Sequence, residues 1–142
     1  MIGIRHVGLI VKDIEKSLTI YRDIFGFMPK IDQIEQGDFY EHLTGNKSVV
    51  ARTCKCYSDN GTCIELIEYQ SESMIERKKE LVCEGFNHIA LDVDDIENIY
   101  SNLLRLGITF IKEPKFNNEK TAKVAFCKDF EGNYLELVQT NF

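Results

Sequence analysis

Apolar residues in the opening segment fall on every second position. Arg5, Val7, Leu9 and Val11 form one stripe and Ile4, His6, Gly8 and Ile10 the other, which is the period of a β-strand. From residue 14 the period lengthens. Ile14, Leu18, Tyr21 and Phe25 follow helical spacing, Asp13 stands where an N-cap belongs, and Gly26 supplies a stop. The same order returns later: Ile89, Leu91 and Val93 share one strand face, and His88, Ala90 and Asp92 share the other. Asp95 then precedes Ile96, Ile99, Leu103 and Leu106 at helical spacing, with Gly107 as the stop. Strand-like stretches follow each helix, near residues 27–35, 48–57 and 62–69, then 108–112, 122–127 and 133–139. Each half reads β-α-β-β-β, an α+β pattern.

The two halves also match residue by residue. His6-Val7-Gly8-Leu9-Ile10-Val11-Lys12-Asp13-Ile14-Glu15 aligns without a gap to the run from His88 to Glu97, at an offset of 82 positions. Gly61-Thr62-Cys63-Ile64-Glu65-Leu66 aligns likewise to Gly132-Asn133-Tyr134-Leu135-Glu136-Leu137. Asn60-Gly61 and Glu131-Gly132-Asn133 fit hairpin turns leading into the two Glu-bearing strands. The expected organisation is one domain over residues 1–142, with a first module at 1–69, a polar linker at 70–84 and a second module at 85–142. In the linker, Ser73-Met74-Ile75-Glu76 has the form of a capping box and predicts a helical turn or two. Residues 32–48 are long for a hairpin and suit a short helix or a loop over the site, and residues 112–120 have loop composition.

A chain of 142 residues, 44% hydrophobic, is long enough for one core or for two half-domains sharing one. The net charge of −6 disfavours nucleic acid or an anionic membrane as a bulk partner. No apolar run approaches the roughly 20 residues of a membrane span, and the N-terminus lacks a signal-peptide layout, so a cytoplasmic protein is expected. Cys54, Cys56, Cys63, Cys83 and Cys127 are odd in number and lack zinc-type spacing, which reads as reduced thiols filling core positions.

His6, Glu65, His88 and Glu136 all point away from the aliphatic stripe of their strands. Burying two carboxylates together without a cation is costly, and a divalent ion resolves that conflict. Two neutral imidazoles and two carboxylates suit one shared site for nickel, cobalt, zinc, manganese or iron(II), with open positions left for water or substrate in an octahedral geometry. Lys115, Lys120 and Lys123 read as solvated loop lysines ahead of holders of a substrate phosphate or carboxylate, His42 as lining the pocket from a loop or as a surface residue, and Phe39, Tyr40 and Phe116 as packing residues or an apolar wall.

These runs, together with Tyr21-Arg22-Asp23-Ile24-Phe25-Gly26-Phe27 and Lys128-Asp129-Phe130-Glu131-Gly132-Asn133, resemble the vicinal oxygen chelate superfamily over nearly the whole chain. The resemblance implies paired βαβββ modules forming an open eight-stranded barrel around a metal, commonly in a homodimer, and a small-molecule substrate. His6, Glu65, His88 and Glu136 match the four-ligand pattern of bacterial glyoxalase I. That implies a lyase or isomerase acting through an enediolate, with Glu136 first and Glu65 second as the proton-shuttling carboxylate. The pattern departs at Ile10, where glyoxalase I carries an Arg that meets the glutathione carboxylate, and an aliphatic side chain cannot replace that clamp. A methylmalonyl-CoA epimerase-like enzyme is the nearest alternative. An extradiol dioxygenase or a fosfomycin-type transferase would leave position 65 free of ligand duty, and metal-free binding or resistance proteins usually lack the ligand set.

Overall fold

The structure is a computed structural model that describes residues 2–71 and 74–142. Two compact units divide the chain, Met1–Glu76 and Arg77–Phe142.

The first unit runs β1 (Val7–Ile10), α1 (Ile14–Tyr21), β2 (Met28–Glu35), α2 (Asp38–Thr44), β3 (Ala51–Tyr57) and β4 (Cys63–Tyr69). Its sheet has the order β1-β4-β3-β2. β1 lies parallel to β4, and β2, β3 and β4 are antiparallel. The second unit holds β5 (His88–Asp92), α3 (Ile96–Arg105), β6 (Lys115–Phe116), β7 (Lys123–Lys128) and β8 (Tyr134–Gln139), in the order β5-β8-β7-β6. The repeat seen in the sequence is therefore a repeat of topology: two mixed four-stranded sheets, each with a parallel pair formed by its first and last strands.

Each sheet buries its aliphatic face, and in the first unit Ala51 and Thr53 are also buried on the opposite face of β3. Val11, Ile14, Leu18 and Tyr21 are buried with Cys54, Cys56, Ile64 and Leu66 in the first unit; Ile96 and Leu103 are buried with Ala125, Cys127, Leu135 and Leu137 in the second. Each such side chain removed from water contributes on the order of 1.5–3 kcal/mol for Leu- or Ile-sized groups. The helix starts are tied down in the same way in both units. Asp13 accepts from the Lys16 backbone N–H and Asp95 from that of Asn98, so both predicted caps form. The Ile14 N–H donates to Glu68 Oε2 at 2.9 Å, and the Ile96 N–H donates to Gln139 Oε1 at 3.0 Å. These bonds from the final strand satisfy donors that a helix start leaves open.

Three expectations need correction. Residues 108–112 form no full strand: Phe110 makes an isolated bridge to Cys127, and strand pairing resumes at Lys115. Pro114, without a backbone N–H, cannot donate to a ladder between that bridge and Lys115. Residues 74–84 contain no helix, because the charged run from Glu76 to Glu80 offers no apolar stripe to pack. Ser73, the first member of the proposed capping box, lies outside the described residues. The first helix also ends at Tyr21, one turn short of Phe25, with Gly26 at φ +74° in the turn beyond. The segment after β2 does hold a short helix, α2, flanked by Gly37 and Gly45 at positive φ.

Candidate functional site

The predicted ligands form two pairs, one in each unit. In the first, His6 Nε2 lies 2.9 Å from Glu65 Oε2, with side chains 32% and 12% exposed. In the second, His88 Nε2 lies 3.3 Å from Glu136 Oε2, with side chains 37% and 25% exposed. Strand phase brings each pair together. His6 immediately precedes β1, β1 lies beside β4, and Gly8 stands opposite Glu65 in the register. In the second unit Ala90 stands opposite Glu136.

Within each pair one imidazole nitrogen and one carboxylate oxygen converge, a donor combination suited to a borderline divalent ion. Among the described residues, no group of three or more His, Cys, Asp or Glu side chains is arranged to hold a metal ion. The candidate ligands are thus two half-sets. Asn87 Oδ1 lies 3.0 Å from His88 Nδ1, and the Phe126 ring meets the His88 ring edge to face at 5.2 Å. Both contacts fix the imidazole orientation while leaving Nε2 toward Glu136, the role that outer partners play for metal-binding histidines.

The surroundings of the two pairs differ. Beside His6 and Glu65 the first unit has a cavity of about 350 Å³, walled by Phe39, Tyr40 and Leu43 of α2 and by Ile67, with Thr53 and Lys55 on its β3 side. Lys55 faces Glu65 across the β3–β4 ladder, with Nζ 3.6 Å from Oε1. Sequence reasoning missed Thr53 and Lys55, which lie on the Glu65 face by strand phase. The second unit has a smaller cavity, about 190 Å³, whose walls include Phe126, Val124, Ile111 and Lys115 but neither His88 nor Glu136.

Of the other singled-out residues, Phe39 and Tyr40 line the larger cavity, and Tyr40 also packs in a cluster with Val49 and Ala51. Burial and a hydrogen bond with Tyr69 raise the Tyr40 phenol well above its ordinary pKa, so it stays protonated. His42 is exposed and lies outside the cavity lining. Phe116 stacks with Phe142 at 4.9 Å, and Lys123 pairs with Glu97. Cys54, Cys56, Cys63 and Cys127 are free and buried, and Cys83 is free and partly exposed. Among the described residues, no helix is long and apolar enough to cross a membrane.

Residues 3–137 match the model of the Glyoxalase/Bleomycin resistance protein/Dioxygenase superfamily, and the chain belongs to that superfamily. A probable lactoylglutathione lyase from Synechocystis is 28% identical over 137 residues, covering 96% of this chain and 94% of that protein. The lactoylglutathione lyase of Schizosaccharomyces pombe is 29% identical over 145 residues, covering 95% of this chain and 46% of that longer protein. Among solved structures, a glyoxalase family protein from Bacillus cereus superposes with a TM-score of 0.89 at 17% identity, covering 98% of this chain and 94% of that one. A fosfomycin resistance protein from Listeria monocytogenes, complexed with Mn(II) and sulfate, gives 0.66 at 21% identity, covering 100% of this chain and 96% of that one. These structural likenesses establish the shared fold.

Proposed function

We propose that the protein is a metal-dependent lyase or isomerase of glyoxalase I-like type, in which His6, Glu65, His88 and Glu136 together hold one divalent ion. The observation that carries this reading is the duplicated pairing, with an imidazole nitrogen 2.9 Å from a carboxylate oxygen in one unit and 3.3 Å in the other. The relatives named as lactoylglutathione lyases support the reaction class. A divalent ion in such a set supplies Lewis-acid stabilisation of negative charge developing on substrate oxygens.

The remaining chemistry belongs to the side chains. Glu136, with Glu65 as the second candidate, takes the proton from the hydroxyl-bearing carbon next to the substrate carbonyl and returns it to the former carbonyl carbon, while the hydroxyl proton passes to the neighbouring oxygen, so that the substrate isomerises through an enediolate. The His88 ring, oriented by Asn87 and Phe126, holds its place beside Glu136. Ile10, which shares its strand face with His6 and is half exposed, offers no charge to a glutathione carboxylate and favours a smaller activated carbonyl compound. The free thiols support a cytoplasmic setting, and the half-sets are completed when the modules pair, within one chain or across a homodimer.

The test is metal analysis of the purified full chain, followed by reconstitution with nickel, cobalt, zinc, manganese or iron(II) and assay with 2-oxoaldehyde adducts and acyl-CoA thioesters. About one ion per four-ligand set is expected, with Glu65→Gln and Glu136→Gln each lowering affinity at least about tenfold. Unchanged affinity in both variants, or no binding, overturns the reading. Light scattering reports the oligomeric state.

A further inference from the structure

The two halves repeat each other's topology, and that makes a chemical asymmetry beside their candidate carboxylates informative. Glu65 stands opposite Lys55 and Glu136 opposite Phe126, each across the antiparallel ladder of its own sheet. Two residues earlier on the same strands, Thr53 stands opposite Ile67 where Val124 stands opposite Val138. A Val and a Phe satisfy these positions in the second unit, so the topology does not require the polar pair of the first. The pair opens onto the larger cavity, where Phe39, Leu43 and Ile67 supply an apolar wall.

Neither polar group is fully used within the protein. The Lys55 ammonium approaches Glu65 at 3.6 Å, a charge contact beyond ordinary hydrogen-bond length. Thr53 is 4% exposed, and its Oγ1 is a buried side-chain oxygen without a hydrogen-bond partner among the described residues. A buried hydroxyl in that condition is uncommon, because burying a polar group without a partner is unfavourable. Rotation about a single torsion exchanges its hydroxyl and methyl groups beside the cavity.

We propose that Lys55, supported by Thr53, receives a carboxylate of the substrate in the first-unit cavity, which narrows the substrate to small monoanionic carbonyl compounds with a short apolar body. The inference rests on the metal-holding role proposed for Glu65, since an ion there leaves the Lys55 charge available to a ligand. Glu35 also lines the cavity, so with Glu65 holding an ion one ammonium remains against one carboxylate, which leaves room for a single negative charge and opposes a polyanionic group. A volume of about 350 Å³ sets the ligand at the small end of the usual range.

The test compares butyrate with its neutral isostere butyramide by chemical-shift titration of the full chain, metal-free and zinc-loaded. Butyrate is expected to bind the loaded protein about tenfold more tightly than butyramide and to shift signals from cavity residues. Lys55→Met should bring the two within about twofold, Lys55→Arg should keep most of the preference, and Thr53→Val should weaken butyrate about threefold. Zinc affinity should be unchanged in Thr53→Val and should hold or rise in Lys55→Met, which removes the ammonium competing for the Glu65 oxygens. Glu65→Gln separates this proposal from the metal reading, because its neutral amide frees the Lys55 charge without any ion, and butyrate should bind that variant more tightly than it binds the metal-free wild type. If the wild type takes up no zinc, the metal reading fails and the Glu65→Gln titration still decides Lys55. A butyrate preference that survives Lys55→Met, or butyrate shifts confined to residues away from the cavity, overturns the inference.

Discussion

Lys55 faces Glu65 across the β3–β4 ladder with Nζ 3.6 Å from Oε1, whereas the matching neighbour of Glu136 is the aromatic ring of Phe126. The two carboxylates of the candidate ligand set therefore sit in unlike surroundings despite matching backbones. One has an ammonium beside it that can compete for its oxygens; the other has an imidazole held against an aromatic ring. On the proposed reading, that difference favours Glu136 over Glu65 for proton transfer and leaves Glu65 as the more static ligand.

The assignment predicts unequal kinetic defects once metal is restored. With zinc at saturation, Glu136→Gln should remain about 100-fold slower in exchanging a substrate α-proton with solvent deuterium, because an amide cannot accept the proton. Glu65→Gln should recover to within about tenfold of the wild type under the same conditions. Proton NMR of the substrate in deuterated buffer reads both rates. The reverse order would place the base on Glu65.

The duplicated caps predict matched stability losses. Asp13→Ala and Asp95→Ala each remove a carboxylate that accepts the backbone N–H three residues on, at 2.9 and 3.0 Å. Each substitution should cost about 1 kcal/mol in urea unfolding, with little change in the slope. A loss in one half only would mean that the Glu68 or Gln139 bond to the next helix N–H carries the other helix start unaided.

The hydrophobic pattern disclosed much of this architecture because strand and helix periods differ and each period occurs twice. His6 pairs with Glu65, and His88 with Glu136, because an alternating strand puts a residue out of phase with Leu and Ile on the open face, and the first and last strands of each module are neighbours. Lys55 and Thr53 were not legible as cavity residues. A Lys within a strand reads as solvated, and only the β3–β4 register aligns it with Glu65. Residues 108–112 misled for the opposite reason. Ile108 and Phe110 look like a strand, yet Ile108 is buried in the core and Phe110 packs edge to face on Tyr100 at 4.6 Å, with one bridge to β7.

Thiol reactivity follows from burial. Cys127 is fully buried and desolvation pushes its thiol up to about 12; burial likewise pushes Cys56 up to about 12. The thiolate is the reactive form, so native protein at pH 8 should be alkylated first at Cys83, which is partly exposed, and slowly at the buried thiols until urea is added. Because the folded pKa is raised, these groups leave stability unaffected below their unfolded value near 8.5. They reduce it as pH rises from there toward 12, since the unfolded chain has then released protons that the native state retains. Mass spectrometry of timed alkylation and alkaline urea melts check the two halves of this expectation.

Acid should expose the clamp built on Arg52. Its Nη2 bonds Asp32 Oδ2 at 2.6 Å and Glu15 Oε1 at 2.8 Å, joining β2, β3 and α1. The Arg52 guanidinium holds the Asp32 carboxyl below its ordinary range, chiefly through the hydrogen bond. A depressed folded pKa gives stability that is fully present above the unfolded value near 3.9 and is lost as pH falls through the lower folded value, where the native carboxylate finally takes up its proton. The Asp32 side chain is 42% exposed, so solvent screens the pair and its contribution at neutral pH should be under about 1 kcal/mol. Arg52→Met, which keeps much of the aliphatic stem, should therefore be slightly less stable than the wild type at pH 7. The gap should shrink as pH falls below about 4 and narrow at pH 7 in 1 M salt. Urea melts across that pH range measure it, and a gap that is constant with pH would assign the role of Arg52 to packing instead of charge.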